Sequence, residues 1–172
     1  MATEPGGAER PSGAPLPTEE QMLKHLRRAN EEARKAKESG HHPFGAVLVG
    51  PDNETVVMSS RNKSTVRHAE SELAFRAFEE LGPDKLWDHT LYTTCEPCVM
   101  CAGAQYWANI GRLVYGISEA QLLSLTGNNQ ENPTLNVPSR YVFEHSQKDI
   151  WVVGPIEAVR DEILAHHVGF WE

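Results

Sequence analysis

The chain has 172 residues, of which 40% are hydrophobic and 23% are charged, and its formal net charge is −8 at pH 7. This length and composition exclude a disordered or fibrous protein and favour one globular domain with its own hydrophobic core. The acidic balance disfavours nucleic acid as a partner, because phosphate backbones are bound through an excess of clustered Lys and Arg side chains.

The sequence contains no recognisable targeting segment. No run of about 18 apolar residues predicts a membrane span, and no basic segment followed by an apolar core predicts a signal peptide. The three cysteines are too few for a disulfide framework and suit a metal site in a reducing compartment. We therefore expect a cytoplasmic protein with no membrane partner.

Four prolines and three glycines fall within the first 17 residues, and this composition predicts a disordered N-terminal tail over residues 1–17. A single domain is then expected over residues 18–172. Its first helix begins after Thr18, because Thr18 and Gln21 have the spacing of a capping box, and it ends at Gly40. Between these points apolar residues recur at helical period, at Met22, Leu26, Ala29, Ala33 and Ala36.

The next predicted elements are a hairpin and a helix. Residues 44–50 form an apolar run of strand length, residues 51–54 supply turn-forming side chains, and residues 55–58 return as a second strand. From His68 the apolar residues follow a helical stripe, which the Gly-Pro pair at residues 82–83 stops.

The second half of the chain alternates strands with helices. We predict strands over residues 91–94, 112–115 and 149–153, and helices over residues 97–108, 119–125 and 155–167. Pro97 suits the first position of its helix, where its missing N–H would have no partner. These elements predict an α/β protein, a three-layer α/β/α sandwich with a central mixed five-stranded sheet.

Two short motifs carry the chemistry, and each stands at the start of a predicted helix. The first is His68-Ala69-Glu70, and the second, some thirty positions later, is Pro97-Cys98-Val99-Met100-Cys101. Cysteines three residues apart on a first helical turn share a face, so both sulfurs can reach one ion. The helix N-terminus also lowers the thiol pKa and favours the thiolate form that zinc requires.

A zinc ion held by His68, Cys98 and Cys101, one per chain, would have three protein ligands and a fourth position for a bound water or hydroxide. Such a water loses its proton near neutral pH and can attack an electron-poor ring carbon that bears an amino group. Glu70 lies two residues from His68, a poor spacing for joint chelation on a helix. The position suits a general acid and base that takes the proton from the water and passes it to a ring nitrogen and then to the departing ammonia.

The motifs match the zinc deaminase signature H-x-E…P-C-x-x-C, and the chain resembles the cytidine deaminase superfamily from about Thr18 to Ile117. The matching segments, in family order, are Pro43-Phe44-Gly45-Ala46, Asn62, His68-Ala69-Glu70, Leu91-Tyr92-Thr93-Thr94-Cys95-Glu96-Pro97-Cys98, Cys101 and Tyr106-Trp107-Ala108. Within the superfamily the chain looks most like the bacterial guanine deaminase branch, with yeast-type cytosine deaminase and tRNA adenosine deaminase as near neighbours. The resemblance implies the cytidine deaminase-like fold, a homodimer and a small nucleobase-like substrate.

By the same resemblance, four further residues contact the substrate. Asn62 hydrogen-bonds the base, Phe44 packs against its ring, Trp107 lines the pocket, and the backbone N–H of Ala69 faces the substrate. On residue type alone, Asn62 is instead a turn residue, and Phe44 and Trp107 belong to the core. Both interpretations stay open at the level of sequence.

Guanine is the leading substrate by resemblance, although one segment departs from the pattern. Similar guanine deaminases carry a Gly-Phe-Asp-Asp-like stretch in which an acidic residue reads the base, and residues 125–132 hold no matching Asp. Asn128, Asn129 or Glu131 could take its place, or the change could mark another substrate. Cytosine or its nucleoside is the alternative, and the acidic charge disfavours a tRNA adenosine deaminase.

A non-enzymatic interpretation rests on Cys95. This residue lies three positions before Cys98 and would complete a closed Cys₃His zinc site, which would make the chain a structural zinc-binding module. We favour a buried free thiol for Cys95, because a closed site leaves Glu70 without a role.

The C-terminal residues also allow two interpretations. The pair Phe170-Trp171 either folds over the substrate pocket, as apolar C-termini do in several relatives, or packs on a helix. Four histidines near the presumed pocket and the C-terminus are interpreted as capping or surface residues rather than ligands. They are His41, His42, His166 and His167.

Overall fold

A sheet with helices on both faces forms the body of the molecule. The structure is a computed structural model that describes residues 14–127 and 129–172. In chain order the elements are α1 (Glu19–Glu38), β1 (Gly45–Val49), β2 (Val56–Arg61), α2 (Ala69–Leu81), α3 (Pro83–Leu86), β3 (Thr90–Cys95), α4 (Val99–Ala108), β4 (Arg112–Ile117), α5 (Glu119–Thr126), α6 (Ser139–Glu144), β5 (Trp151–Val153), a 3₁₀ helix (Glu157–Val159) and α7 (Arg160–Leu164).

The sheet is mixed, with the strands in the order β2-β1-β3-β4-β5. Strand β1 runs antiparallel to both of its neighbours, β2 and β3, whereas β3, β4 and β5 are parallel. The predicted central five-stranded mixed sheet is therefore confirmed.

Two hydrophobic clusters fill the spaces between the sheet and the helices. On one face, Leu48, Leu91 and Leu113 pack against buried residues of α2, α4 and α6. On the other face, Val47, Tyr92 and Val114 pack against α1, α5 and α7. Strands β1, β3 and β4 are buried along their whole length, because helices cover both sides of the sheet. The three-layer α/β/α arrangement is confirmed.

The first helix follows the predicted cap closely. The Thr18 hydroxyl accepts a hydrogen bond from the Gln21 backbone N–H at 3.2 Å, and the Gln21 side chain accepts one from the Thr18 N–H at 2.9 Å. Gly45 lets this helix approach β1, since a Cβ there would collide with the backbone of Ala29 and Ala33. The close contact holds Phe44 and the start of β1 in place beside α1.

Two predicted helices have other bounds in the structure, and two short helices were not predicted. Helix α4 begins at Val99 rather than Pro97, because Cys98 has an extended backbone (φ −66°, ψ 174°) and serves as the N-cap. The helix predicted over residues 155–167 divides into the 3₁₀ helix and α7, where Val159 leaves the helical region at φ −111° and ψ 1°. Two short helices, α3 and α6, have too few residues to show a periodic pattern in the sequence.

The N-terminal segment also differs from the prediction. Pro17 is buried, and the carbonyl groups of Ala14 and Pro15 accept hydrogen bonds from Arg112 at 2.9 and 2.8 Å. Residues 14–17 therefore pack on the domain instead of belonging to a disordered tail, because the buried guanidinium at the start of β4 uses their carbonyls as acceptors. Residues 1–13 of the predicted tail lie outside the described part of the chain.

None of the helices described here has both the length and the apolar character needed to cross a bilayer.

Candidate active site

The two sequence motifs meet where α2 and α4 begin. His68 is the N-cap of α2 and Cys98 is the N-cap of α4, and Cys101 lies in the first turn of α4. The His68 Nδ1 atom lies 3.6 Å from Cys98 Sγ and 3.5 Å from Cys101 Sγ. All three atoms fall within 4.8 Å of one another.

These distances fit a tetrahedral zinc ion. With Zn–N and Zn–S bonds of about 2.05 and 2.3 Å and tetrahedral angles, nitrogen and sulfur ligands should lie about 3.6 Å apart. The distances of 3.6 and 3.5 Å from His68 Nδ1 to the two cysteine sulfurs match this ligand-to-ligand distance. The donor set of one imidazole and two thiolates is also one that zinc prefers.

The imidazole of His68 is held in the tautomer that a metal ligand needs. Its Nε2 atom lies 2.9 Å from the carbonyl oxygen of Thr65, so Nε2–H donates to that carbonyl. Nδ1 is then the ring nitrogen that faces the two sulfurs. A hydrogen bond of this kind fixes both the ring orientation and the coordinating nitrogen of a metal-bound histidine.

The two cysteine thiols of this group differ in pKa. Hydrogen bonds from Cys101 and His68 lower the pKa of Cys98 to about 4, whereas the adjacent Cys98 thiolate and burial raise the pKa of Cys101. The same thiolate raises the pKa of His68 to about 9. A divalent cation would replace the protons on Cys101 and His68, so metal binding should release protons.

Glu70 lies beside this donor group, in the first turn of α2. It is 5% exposed, and its Oε1 atom accepts a hydrogen bond of 2.8 Å from the Thr93 hydroxyl. Burial raises the pKa of the carboxyl group. Glu70 does not belong to the group of candidate ligand atoms. Thr93, which the sequence motifs do not single out, therefore orients the carboxyl from β3.

A cavity of about 410 Å³ opens in front of His68, Cys98 and Glu70. This volume suits a small heterocycle. The other lining residues come from β1, β2, the N-terminus of α5 and the segment 130–135. They are His42, Phe44, Asn62, Thr65, Cys95, Glu96, Met100, Glu119, Leu122, Gln130, Glu131, Asn132, Pro133, Thr134 and Leu135.

Two of the four predicted substrate contacts line the cavity. Phe44 forms part of its wall, and Asn62 is 2% exposed with its Nδ2 atom 3.3 Å from the carbonyl of Ser64. Ala69 is the first residue of α2, where a backbone N–H has no acceptor within its own helix.

Trp107 is not among the residues that line this cavity. Trp107 comes nine residues after Cys98, about two and a half helical turns, so it lies on the opposite side of α4. It is 75% exposed and shares an apolar surface with Phe75 and Phe78 of α2.

The residues between α5 and α6 supply part of the wall. Glu131 is largely exposed and its carboxylate lies 3.8 Å from His42 Nε2. Asn129 accepts a hydrogen bond of 2.8 Å from the Glu131 N–H and donates one to the carbonyl of Trp171. Asn128 lies outside the described residues.

Reasoning from sequence missed several lining residues, among them three polar ones. Glu119, Asn132 and Thr134 all line the cavity, and burial raises the pKa of Glu119 to about 8. Glu119 looked like an ordinary acidic residue in the first turn of a helix, and the segment that carries Asn132 and Thr134 has no periodic pattern. Only the folded chain brings them to the metal site.

Aromatic residues from the C-terminus pack behind the cavity wall. Ring centroids lie 4.7 Å apart for His42 and Trp171 and 5.2 Å apart for Phe44 and His167. The Trp171 indole N–H donates to His167 Nδ1 at 3.2 Å. Phe170 and Trp171 thus support the wall residues His42 and Phe44 from outside, and His167, interpreted from sequence as a surface or capping residue, is 1% exposed.

The chain was compared with known proteins. The family model described as the cytidine and deoxycytidylate deaminase zinc-binding region matches residues 19–117. A probable cytosine deaminase from Schizosaccharomyces pombe is 37% identical over 157 residues, covering 89% of this chain and 94% of that protein. A guanine deaminase from Bacillus subtilis is 42% identical over 77 residues, covering 42% of this chain and 49% of that protein. A solved structure from a study of tRNA:A34 deaminases aligns with a TM-score of 0.63 and 28% identity, covering 84% of this chain and 99% of that one.

The role of Cys95 can be tested by zinc content. Cys95 is outside the group of ligand atoms, and burial raises its thiol pKa well above the ordinary value, which disfavours the thiolate needed for coordination. We expect Cys95→Ser to retain about one zinc per chain, as in the unchanged protein, when zinc content is measured by inductively coupled plasma mass spectrometry. Cys101→Ser, the matched control, should lose most of it. Zinc loss in Cys95→Ser would establish the closed structural site instead.

The aromatic cluster predicts a pH dependence of stability. Burial lowers the pKa of His167 to about 3, whereas an unfolded histidine titrates near 6.5. As the pH falls, the unfolded chain binds a proton at this histidine before the folded chain does. The contribution of neutral His167 to the free energy of unfolding is therefore present above about pH 6.5 and is lost as the pH falls toward 3. His167→Gln should therefore show a smaller fall in melting temperature between pH 7.5 and 4.5 than the unchanged protein. Equal falls in the two proteins would contradict this assignment.

Proposed function

We propose that this chain, which belongs to the cytidine and deoxycytidylate deaminase zinc-binding family and is a hydrolase acting on C–N bonds of amidines, deaminates a free nucleobase or a related amino-heterocycle. Guanine is the leading candidate substrate. One observation carries the proposal. His68 and Cys98, which with Cys101 form the zinc-fitting group, line a cavity of about 410 Å³ together with the buried carboxyl of Glu70. The overall reaction converts an amino-heterocycle and water into an oxo-heterocycle and ammonia.

His68, Cys98 and Cys101 would hold the ion, and zinc when bound supplies a Lewis acid that makes water a nucleophile near neutral pH. Glu70 takes a proton from the attacking water, delivers it to the adjacent ring nitrogen and then carries a proton to the departing amino group. The hydrogen bond from Thr93 holds one carboxyl oxygen of Glu70, which leaves the other free to exchange protons. Phe44 packs against the ring, while Asn62 and the Ala69 N–H orient its polar edge.

The charge of the cavity supports a small, unphosphorylated substrate. Four carboxyl groups line it, those of Glu70, Glu96, Glu119 and Glu131, and its described lining contains no Lys or Arg. A phosphate group would meet repulsion here and find no bidentate partner. We therefore infer that free bases are preferred over nucleotides and over a tRNA loop. We also propose that the protein acts in the cytoplasm.

Cytosine is the second candidate, because the fission-yeast relative matches nearly the whole chain. Both bases carry a ring N–H and a ring carbonyl in the same six-membered ring as the amino group, so one cavity of this size can hold either. A screen of guanine, cytosine, adenine and their nucleosides for ammonia release decides between them.

A homodimer is also part of the proposal. Four large apolar side chains are exposed together on α2 and α4, those of Phe75, Phe78, Met100 and Trp107. Glu79 is the one charged residue described in the lining of this surface. A second copy presents the same nearly uncharged apolar surface, as a two-fold interface requires.

The acid–base role of Glu70 gives the central test of function. Glu70→Gln keeps the shape of the side chain and the contact with Thr93 but cannot move protons. We expect about one zinc per chain and a fall in turnover of roughly 10²–10⁴ in the ammonia assay. Glu144→Gln, an exposed change of the same kind on α6, serves as the control and should turn over normally. Full activity of Glu70→Gln would refute the proposed role.

The apolar surface predicts the oligomeric state. Trp107→Glu combined with Phe78→Glu should convert a dimer into a monomer in sedimentation equilibrium, because two-fold symmetry places the new charges against each other. Tyr141→Glu, which changes an equally exposed aromatic residue on α6, should leave the dimer intact. A monomeric unchanged protein, or a dimeric double variant, would contradict the assignment of this surface.

A further inference from the structure

Glu96 lines the active-site cavity, but each of its carboxyl oxygens is already bound by the protein. Glu96 is 5% exposed, and its Oε1 atom accepts a hydrogen bond of 3.1 Å from the Glu119 backbone N–H. Its Oε2 atom accepts two from Ser139, at 2.9 Å from the backbone N–H and at 2.7 Å from the hydroxyl. A carboxylate only accepts hydrogen bonds, so three converging donors suit it. The carboxyl group of Glu96 therefore serves the fold rather than a bound ring.

The backbone of Glu96 is fixed close to a metal ligand. Glu96 follows the last residue of β3 and comes two residues before Cys98. Its backbone N–H donates to the carbonyl of Ile117, the last residue of β4, at 2.8 Å. Because the ends of two buried strands hold this backbone, the carboxyl group of Glu96 has a fixed position relative to Cys98.

A second contact with α6 runs through Tyr115 of β4. The Tyr115 hydroxyl accepts a hydrogen bond of 2.7 Å from Arg140 Nη1. Burial and the nearby negative charge of Glu96 raise the pKa of this hydroxyl. Arg140 thereby places a positive charge near a buried carboxylate, which offsets part of the cost of burying it. The first two residues of α6, Ser139 and Arg140, are thus held by Glu96 and its neighbour Tyr115.

The start of α6 is also the end of the segment that forms one wall of the cavity. Residues 130–135, the wall segment, line the cavity and belong to no helix or strand. Upstream, the Asn129 side chain donates a hydrogen bond to the carbonyl of Trp171. Downstream, the chain reaches the fully buried Ser139, which Glu96 holds. Because the wall segment lacks regular structure, its position depends on attachments such as these two.

We propose that Glu96 is a positioning residue, which holds the wall segment at a fixed distance from the metal ligands and thereby sets how tightly the substrate is bound. This inference rests on the proposed function. The wall contacts the ring before and during the reaction, whereas the metal ligands and Glu70 act on the bonds that change. Loosening the wall should weaken the binding of substrate and transition state alike, which raises KM and leaves kcat nearly unchanged.

Ser139→Ala tests this role with a small change. It removes the hydroxyl that donates to Glu96 and retains the backbone N–H contact. For the zinc-loaded full-length protein, we expect KM to rise about three- to tenfold, the effect of losing one hydrogen bond, with kcat within about twofold. Ser124→Ala is the matched control, because it removes a hydroxyl that contacts only the carbonyl of Ala120 within α5. It should leave both constants unchanged.

Two further variants separate the wall from the catalytic groups. Thr93→Val removes a buried hydroxyl that contacts Glu70 instead, and it should lower kcat more than it changes KM. Glu96→Gln keeps the size of the side chain but turns an amide NH₂ toward a backbone donor, so KM should rise about tenfold or more. Combined with Ser139→Ala, it should raise KM by less than the product of the two single effects, because both act through one contact.

Hydrogen exchange without substrate gives a readout that does not depend on catalysis. Peptides covering residues 129–139 should exchange faster in Ser139→Ala and in Glu96→Gln than in the unchanged protein, while peptides covering residues 69–77 of α2 keep their protection. If Glu96→Gln does not fold, Ser139→Ala decides alone.

Unchanged exchange of residues 129–139 in the folded variants would overturn the inference while leaving the proposed function intact. A fall in kcat with KM unchanged in Ser139→Ala would also overturn it. Absence of ammonia release from every base would instead refute the proposed function, and the exchange measurement would still decide whether Glu96 anchors the wall segment.

Discussion

The site depends on how closely α2 and α4 pack against each other and against the sheet. Small residues line this contact, including Ala74 and Ala77 of α2 and Ala102 of α4, all fully buried. Their short side chains let the two helices lie side by side with both N-termini near the same point. The Nδ1 atom of His68 and the Sγ atom of Cys98, the two N-caps, thus lie 3.6 Å apart. The metal site is a consequence of this packing.

Buried hydrogen bonds near the N-termini of these helices fix the positions of the site residues. Glu96 connects the loop between β3 and α4 with the starts of α5 and α6, while Thr93 fixes Glu70 from the adjacent strand. Each of these contacts joins residues more than twenty positions apart in the chain. The catalytic groups are therefore positioned by buried polar pairs on rigid elements, which suits a site where small displacements of a carboxyl group cost much activity.

The features that sequence reasoning predicted correctly are local or nearly so. The capping box of α1, the start of α2 next to His68 and the five strands depend on neighbouring residues, and the spacing of Cys98 and Cys101 is itself a local metal-binding signal. The features that sequence reasoning did not predict have non-local causes. Trp107 stands in a family-like segment, and helical geometry places it on the surface shared by α2 and α4 rather than in the cavity of this chain.

The other misses share that origin. Glu119 and the segment 130–135 reach the site only because α5 and α6 are tied to Glu96. Residues 14–17 pack because a buried arginine 97 residues away from Pro15 needs acceptors. No pattern within a window of sequence carries that information.

The charges at the centre of the molecule also constrain its chemistry. The sulfurs of Cys98 and Cys101 and several carboxyl groups lie at or beside a cavity whose described lining has no Lys or Arg. A divalent cation would offset part of this negative charge, because it would interact with both sulfurs at once. Glu131, whose carboxylate lies 3.8 Å from His42 Nε2, faces the same cavity. A phosphate group finds no cationic partner in this lining, so the distribution of charge that favours a metal ion also disfavours a phosphorylated substrate.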